Sequence, residues 1–162
     1  MLVPINGGKL PTRATKHSAA VDLYSNSEDL TIYPGETKIV KLGVCIDPDK
    51  LHYWGDDLKT VSKETMKPFK AAKLEDFMST HYVALEPRSS IRAKGILSST
   101  GIIDLDYKEE IAIILTNTSE SHFRVLKGNR IAQCMLLQHS TSLFGIESTT
   151  ERTSGFGSTG TR

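Results

Sequence analysis

An all-β fold of the sandwich, barrel or jelly-roll kind is predicted by three features of the sequence. The apolar runs are short and rich in β-branched residues, the separators between them are turn-forming, and a single stretch carries a helical composition. In order, the runs are "AAVDLYS", "LTIY", "TKIVKLGVCI", "HYVALEP", "GIIDLDY", "IAIILTN", "FRVL", "RIAQCMLLQ" and "LFGIE". The turns at Pro34-Gly35, Asn117 to Ser121 and Lys127 to Asn129 are short and hairpin-like, which suits antiparallel strands better than alternating βα units.

The exception runs from Asp47 to about Thr80, where "DLKTVSKETMKPFKAAKLEDFMST" is rich in Lys, Glu, Ala, Leu and Met. Val61, Thr65 and Phe69 share a helical spacing, as do Phe69, Lys73 and Phe77, but Pro68 is expected to interrupt a continuous helix. Residues 47–80 therefore read as an inserted, partly helical excursion, either covering a sheet edge or offering a surface to a protein partner. The last stretch, "ERTSGFGSTGTR", is too polar to pack. Residues 1–149 are thus expected to form one β domain, and residues 150–162 a flexible C-terminal tail.

Composition narrows the function classes. A chain of 162 residues suits one core. With a formal net charge of +1 there is no cationic field to release counterions from a nucleic-acid backbone, which argues against a polymeric nucleic-acid partner. No window approaches the apolar length of a membrane span and the first apolar stretch is too short for a signal peptide, so an intracellular, cytoplasmic protein is expected. Cys45 and Cys134 lie singly in apolar runs and read as small hydrophobes. The five histidines are scattered, and the phosphate-loop, dinucleotide-binding and zinc-binding patterns are absent.

What remains is a set of polar islands within β-structure. In "HSAAVDLYS", Asp22 offers a carboxylate of the kind that holds hydrated Mg2+ through its waters. In "EPRSSIRAKG", Pro87 stops a strand and Arg88, Ser89 and Ser90 offer a guanidinium fork, hydroxyls and backbone N–H groups, a chemistry suited to phosphate oxygens. "STGIIDLDYKEE" places Asp104 two residues before Asp106 with Tyr107 behind; on an extended strand the two acids share a face, whereas a tight turn separates them. "LKGNRIAQCML" joins a Lys127-Gly128-Asn129 turn to Gln133, an amide on an otherwise apolar strand. The tail contributes the charge of Arg152, the hydroxyls of Ser158 and Thr159, and glycines that admit close backbone approach. Taken singly, each island is an ordinary turn, solvated acid or chain end.

Together, and in this order, "SAAVDLYS", "PRSS", "GIIDLDY", "GNRIAQ" and "RTSGFGSTG" resemble the five motifs of the homotrimeric dUTPases, the dUTP nucleotidohydrolases, from residue 18 to residue 160. The resemblance leaves out only the excursion near residues 47–80. It implies a jelly-roll-like fold, a homotrimer whose active sites are shared between subunits, and Mg2+-dependent conversion of dUTP and water to dUMP and pyrophosphate. That reaction keeps uracil out of DNA and supplies dUMP for dTMP synthesis. Carried over by position, Asp104 orients the attacking water, and Tyr107 packs on the deoxyribose and excludes a 2'-hydroxyl. Backbone groups from Ser98 to Ile103 read uracil, with Gly101 allowing close approach. Arg88, Ser89, Ser90 and Gln133 meet the phosphates, and Asp22 binds Mg2+ through water. From the tail, Arg152 clamps the γ-phosphate, Phe156 stacks over the base, and Gly157, Ser158 and Thr159 close on the phosphate chain as a lid.

The chain departs from the family's usual pattern at three places: Glu109 stands where glycine is usual, Asn129 where aspartate is more frequent, and Ser90 where many members have glycine. A related activity, dCTP deamination, needs a glutamate ten residues beyond the motif's aspartate, and that position here is Ile114. A third reading is a dUTP-responsive regulatory protein that contacts its partner through residues 47–80. Retention of Asp104, Tyr107 and the complete tail favours turnover.

Overall fold

The computed structural model describes residues 1–50 and 63–146, with side chains described there except at position 49 and positions 63–71. The strands are β1 (Leu2–Pro4), β2 (Val21–Tyr24), β3 (Leu30–Ile32), β4 (Thr37–Lys41) and β5 (Val44–Ile46), followed by helix α1 (Lys63–Thr80) and β6 (His81–Pro87). A one-turn helix α2 (Ser89–Arg92) leads to β7 (Ile96–Leu97), β8 (Gly101–Asp104), β9 (Ala112–Asn117), β10 (Phe123–Val125) and β11 (Arg130–Gln138). A four-stranded sheet in the order β2-β11-β6-β8 and a three-stranded sheet in the order β4-β9-β7 are joined by the pairs β1-β5 and β10-β3. All of these pairings are antiparallel. The all-β expectation is met.

No two strands that are consecutive among the described residues pair with each other. The separators that look like hairpin turns in the sequence are therefore corners that carry the chain from one sheet to another. The turn at Pro34-Gly35 joins β3, which pairs with β10, to β4, which pairs with β9. Gly35 lies in the left-handed region and donates its N–H to the Asn117 carbonyl at 2.7 Å, so the corner is tied to β9.

Alternation then builds one core. Ile113, Leu115 and Asn117 of β9 point inward with Val40 of β4, opposite Leu23, Val83, Leu85 and Cys134 of the larger sheet. Asn117 is fully buried and its amide is satisfied: Nδ2 donates to the carbonyls of Ile32 and Ser121, and Oδ1 accepts from the Ser119 N–H and hydroxyl.

Helix α1 departs from expectation, because it runs unbroken through Pro68. Proline forfeits one backbone hydrogen bond there, and a helix of 18 residues that continues for three turns beyond it tolerates that loss. The C-terminal half of α1 is held by tertiary packing. Leu74, Phe77 and Met78, spaced to share one face, close with Met1, Ile46 and Pro48 around Leu105. The Thr80 hydroxyl donates to the Asp76 carbonyl at 2.8 Å, and the His81 ring stacks on Phe77, so the helix end is fixed where β6 begins.

Burial pushes the Cys134 thiol up to about 12, and it also raises the thiol of half-buried Cys45. Both thiols therefore stay protonated at neutral pH. Native protein treated with an alkylating reagent at pH 8 should leave Cys134 unmodified, and denaturant should release it to ordinary reactivity, as mass spectrometry of the labelled chain would show.

Candidate active site

The site begins with the pairing of three strands. In the four-stranded sheet, Gln133 of β11 lies opposite Asp22 of β2 on one side and Glu86 of β6 on the other. Strand alternation then puts Asp22, Gln133 and Glu86 in one row on the same face. β6 ends at Pro87, and Arg88 caps α2 with an extended backbone. The Arg88 N–H is held by the Ile131 carbonyl at 3.1 Å, so the turn is fastened to β11.

Asp22 is the electrostatic centre of this row. It is buried, and it accepts from Arg88 Nε at 2.8 Å through Oδ1 and from Arg130 Nη1 at 3.3 Å through Oδ2. One carboxylate between two guanidiniums leaves the cluster with a net positive charge. Each guanidinium directs a single nitrogen at Asp22, so the remaining N–H groups of each fork are not spent on that carboxylate. Beside them, Ser89 and Ser90 are exposed and open α2, where the first amides of a helix have no partner within it. Cationic forks, hydroxyls and open N–H groups at one strand end are the chemistry that suits a polyanion such as a phosphate chain.

Two residues of this cluster escaped sequence reasoning. Arg130 directly follows the Lys127-Gly128-Asn129 turn, and a basic residue opening a strand, three positions before Gln133, was the available signal. Glu86 precedes Pro87; it pairs with Arg92 at 2.8 Å and accepts from the Thr100 hydroxyl at 3.1 Å, tying α2 to the loop before β8.

Asn129 fills the turn as an acceptor, since its Oδ1 receives the Leu126 N–H at 3.1 Å. Near Glu109 the turn needs no glycine: Asn6 is the non-glycine residue with positive φ among the described residues, and Glu109 is not in that region. Ser90 simply occupies the second position of α2.

The third motif lies elsewhere. Asp104 ends β8 opposite Tyr82, the second residue of β6, whereas Arg88 follows that strand's last residue. Six residues of extended chain separate Tyr82 from Arg88, roughly 20 Å. Asp104 is exposed, Asp106 and Tyr107 are half-buried, and Tyr107 packs against the core. Gly101 opposes Leu85, and a Cβ there would come to 3.3 Å of the Leu85 side chain, so its close approach is to its own sheet. Ile103 is half-buried in β8, and the Ser98 hydroxyl donates to the Ser99 carbonyl at 2.8 Å. Residues Arg152, Phe156, Gly157, Ser158 and Thr159 lie outside the described residues. Among the described residues no group of three or more His, Cys, Asp or Glu side chains could hold a metal ion, and no helix is long and apolar enough to cross a membrane.

The β fold thus carries a cationic cluster suited to a polyanion at one end of β6 and an exposed acid paired near the other. The dUTPase family model matches residues 58–160. The deoxyuridine 5'-triphosphate nucleotidohydrolase of Rickettsia bellii is 33% identical over 161 residues, covering 94% of this chain and 88% of its own. That of rabbitpox virus is 31% identical over 161 residues, with 97% and 89% covered. The dUTPase of Staphylococcus bacteriophage 80alpha shares the fold, with a TM-score of 0.64 at 18% identity over 96% of this chain and 97% of that one. The chain belongs to the dUTPase family.

The Asp22 cluster predicts an asymmetry in stability. Asp22→Ala removes the shared acceptor and leaves two cations facing each other, a loss of about 2–3 kcal/mol. Arg130, whose side chain is half exposed, contributes less than about 1 kcal/mol, so Arg130→Ala should unfold close to the parent in urea titrations.

Proposed function

We propose that this chain hydrolyses dUTP to dUMP and pyrophosphate, in sites that combine the Asp22–Arg88–Gln133 row of one subunit with Asp104 and Tyr107 of another. The observation that carries the reading is the cationic cluster at the end of β6, built from a buried Asp22 that aligns Arg88 and Arg130 beside the open amides of Ser89 and Ser90. Its shape and charge suit a triphosphate, and family membership supplies the nucleoside. An acid that orients water at the α-phosphorus must lie within hydrogen-bond reach of the group that Gln133 and Arg88 hold. Within one chain, the length of β6 separates them, which supports an assembly of copies, a homotrimer in this family.

The residues then have distinct tasks. Arg88, Ser89, Ser90 and Gln133 bind and orient the phosphates and stabilise the charge that gathers as the α-phosphorus is attacked. Asp104 holds the water and takes its proton. Tyr107 packs on the deoxyribose, and Ser98, Gly101 and Ile103 present backbone groups to uracil. Arg152, Phe156, Gly157, Ser158 and Thr159 close over the bound nucleotide. A carboxylate offers about four lone-pair sites, and the two guanidiniums use two of those on Asp22, so it retains acceptors for the waters of a hydrated cation. No carboxylate cage stands among the described residues; a hydrated Mg2+ would be held by Asp22 through its waters in company with the phosphates. When bound, it neutralises phosphate charge.

The deaminase reading finds no support. Ile114 stands on the exposed outer face of β9, opposite Ile39 and in a different sheet from Asp104. A regulatory role for residues 47–80 is a second reading favoured by the placement of α1. Helix α1 of that segment leads directly into the start of β6. Its Leu74, Phe77 and Met78 line an apolar cleft together with Leu105, the residue after Asp104.

Pyrophosphate release measured with dUTP, dTTP, UTP and dCTP, with and without Mg2+, should show turnover of dUTP alone and only with the metal. Asp104→Asn should lower kcat by roughly 10²- to 10⁴-fold while leaving dUTP binding near parental, the scale of a lost general base. Parental turnover by that variant would remove Asp104 from the mechanism.

A further inference from the structure

The loop from Leu105 to Glu110 joins β8 to β9 and carries Tyr107, and its exit is held by a side chain that the motif pattern does not single out. Glu110 is mostly buried, and its carboxylate gathers donors from three separate parts of the chain. Oε2 accepts from Asn6 Nδ2 at 3.0 Å, and Oε1 accepts from the Gly43 N–H at 2.9 Å and from Asn26 Nδ2 at 3.5 Å. Lys41 Nζ stands 3.9 Å away. These partners belong to the turn after β1, the loop after β2 and the turn between β4 and β5.

Backbone bonds lock the same junction. Ile5 donates to the Gly43 carbonyl at 2.8 Å, Asn26 donates to the Lys41 carbonyl at 2.8 Å, and Asn26 Nδ2 reaches the Asn6 carbonyl at 3.1 Å. Gly8 sits so close that a Cβ on it would come to 2.0 Å of the Gly43 oxygen, and Gly43 itself has a φ of +64°. The junction is rigid, and every side-chain or backbone group it turns toward Glu110 is a donor. Only an ionised carboxylate satisfies all of them at once; an amide would place an NH2 against donors.

From this anchor the loop is fixed at both ends. Leu105 is buried in the core, and Ile111 is buried and exchanges backbone bonds with Val44 at 2.8 Å and Leu42 at 3.0 Å. Between these points the loop contains no glycine and no residue with positive φ, so it does not owe its course to a permissive backbone. Tyr107 packs partly into the core, and its hydroxyl lies 3.5 Å from the Glu110 carbonyl.

We infer that Glu110 is a positioning residue for Tyr107: by fixing the exit of the loop on the Asn6–Asn26–Gly43 junction, it sets the ring against the sugar and so sets discrimination between deoxyribose and ribose. The inference rests on the role given to Tyr107 under the proposed function. Glu110 touches no reacting atom, so its loss acts on sugar recognition more than on the chemical step.

The test compares kcat and KM for dUTP and UTP in the parent and in Glu110→Gln, Glu110→Ala, Asn6→Ala and Tyr107→Ala. Glu110→Gln and Glu110→Ala should raise KM for dUTP and lower the dUTP-over-UTP preference by about tenfold each, with kcat for dUTP changed far less. Asn6→Ala should shift both in the same direction by a smaller factor, and should add nothing in the Glu110→Ala background, because both changes break the same anchor. Asn6 lies in an exposed turn at positive φ, so Asn6→Gly, which removes the same donor without backbone strain, should behave as Asn6→Ala and reads out the inference even if Glu110→Ala does not fold. Folded Glu110→Gln and Asn6→Ala proteins with parental KM and parental selectivity would overturn it, provided Tyr107→Ala loses selectivity. If Tyr107→Ala keeps parental selectivity, the reading of Tyr107 fails, and the inference falls with it.

Discussion

The arrangement of this molecule depends on the antiparallel strand β6, seven residues long, with chemistry at both of its ends. At its beginning it pairs with Asp104 through Tyr82, and at its end it delivers Arg88. An extended strand is stiff, and this one lies between β11 and β8 in a buried sheet, so its two ends cannot be brought together by bending. Under the proposed function, the phosphate-binding residues at one end and Asp104 at the other would meet one substrate only if a second copy of the chain brought its opposite end alongside. On that reading, the separation imposed by one strand is the reason for assembly.

The receptor end shows how a sheet can hold like charges together. Arg88 and Arg130 would repel each other at the end of β6 without the buried carboxylate of Asp22 between them, and strand register supplies that carboxylate. The same carboxylate fixes the direction in which both forks face. A site organised in this way is in place before substrate arrives, which limits the reorganisation required as charge develops on the phosphates. At the acid end, the surroundings are apolar on one side, where Leu74, Phe77 and Met78 of α1 line a cleft with Leu105, and polar on the other, where Glu110 binds its three donors. The inserted helix is thus built into the support of the third motif.

The islands around Asp22, Arg88, Asp104 and Gln133 were legible in the sequence because each has a local signature: a polar residue set in an apolar strand, or a strand stopped by Pro87 or a Gly128 turn. The all-β class was legible from run length and β-branching. The ion cluster was not. Arg88 is 66 residues and Arg130 is 108 residues from Asp22, and only the β2-β11-β6 register brings them together. Glu110 was invisible for the same reason, since its donors come from loops distant in sequence. Short separators were read as hairpins because turn chemistry reports that the chain reverses, not which strand it will pair with next. Pro68 was read as a break because its local effect is unfavourable, whereas the hydrogen bonds of the remaining helix and the packing of its C-terminal half outweigh one lost bond.

The claim that the site is completed by another copy of the chain is tested most directly by mixing two inactive variants. Asp104→Asn and Arg88→Ala chains, unfolded together in equal amounts and refolded, should regain about one quarter of parental dUTP hydrolysis. Random assembly places an intact Asp104 beside an intact Arg88 from a different chain in that fraction of sites. If each site were built within one chain, every chain would carry a lesion, and the refolded mixture would stay as inactive as either variant alone.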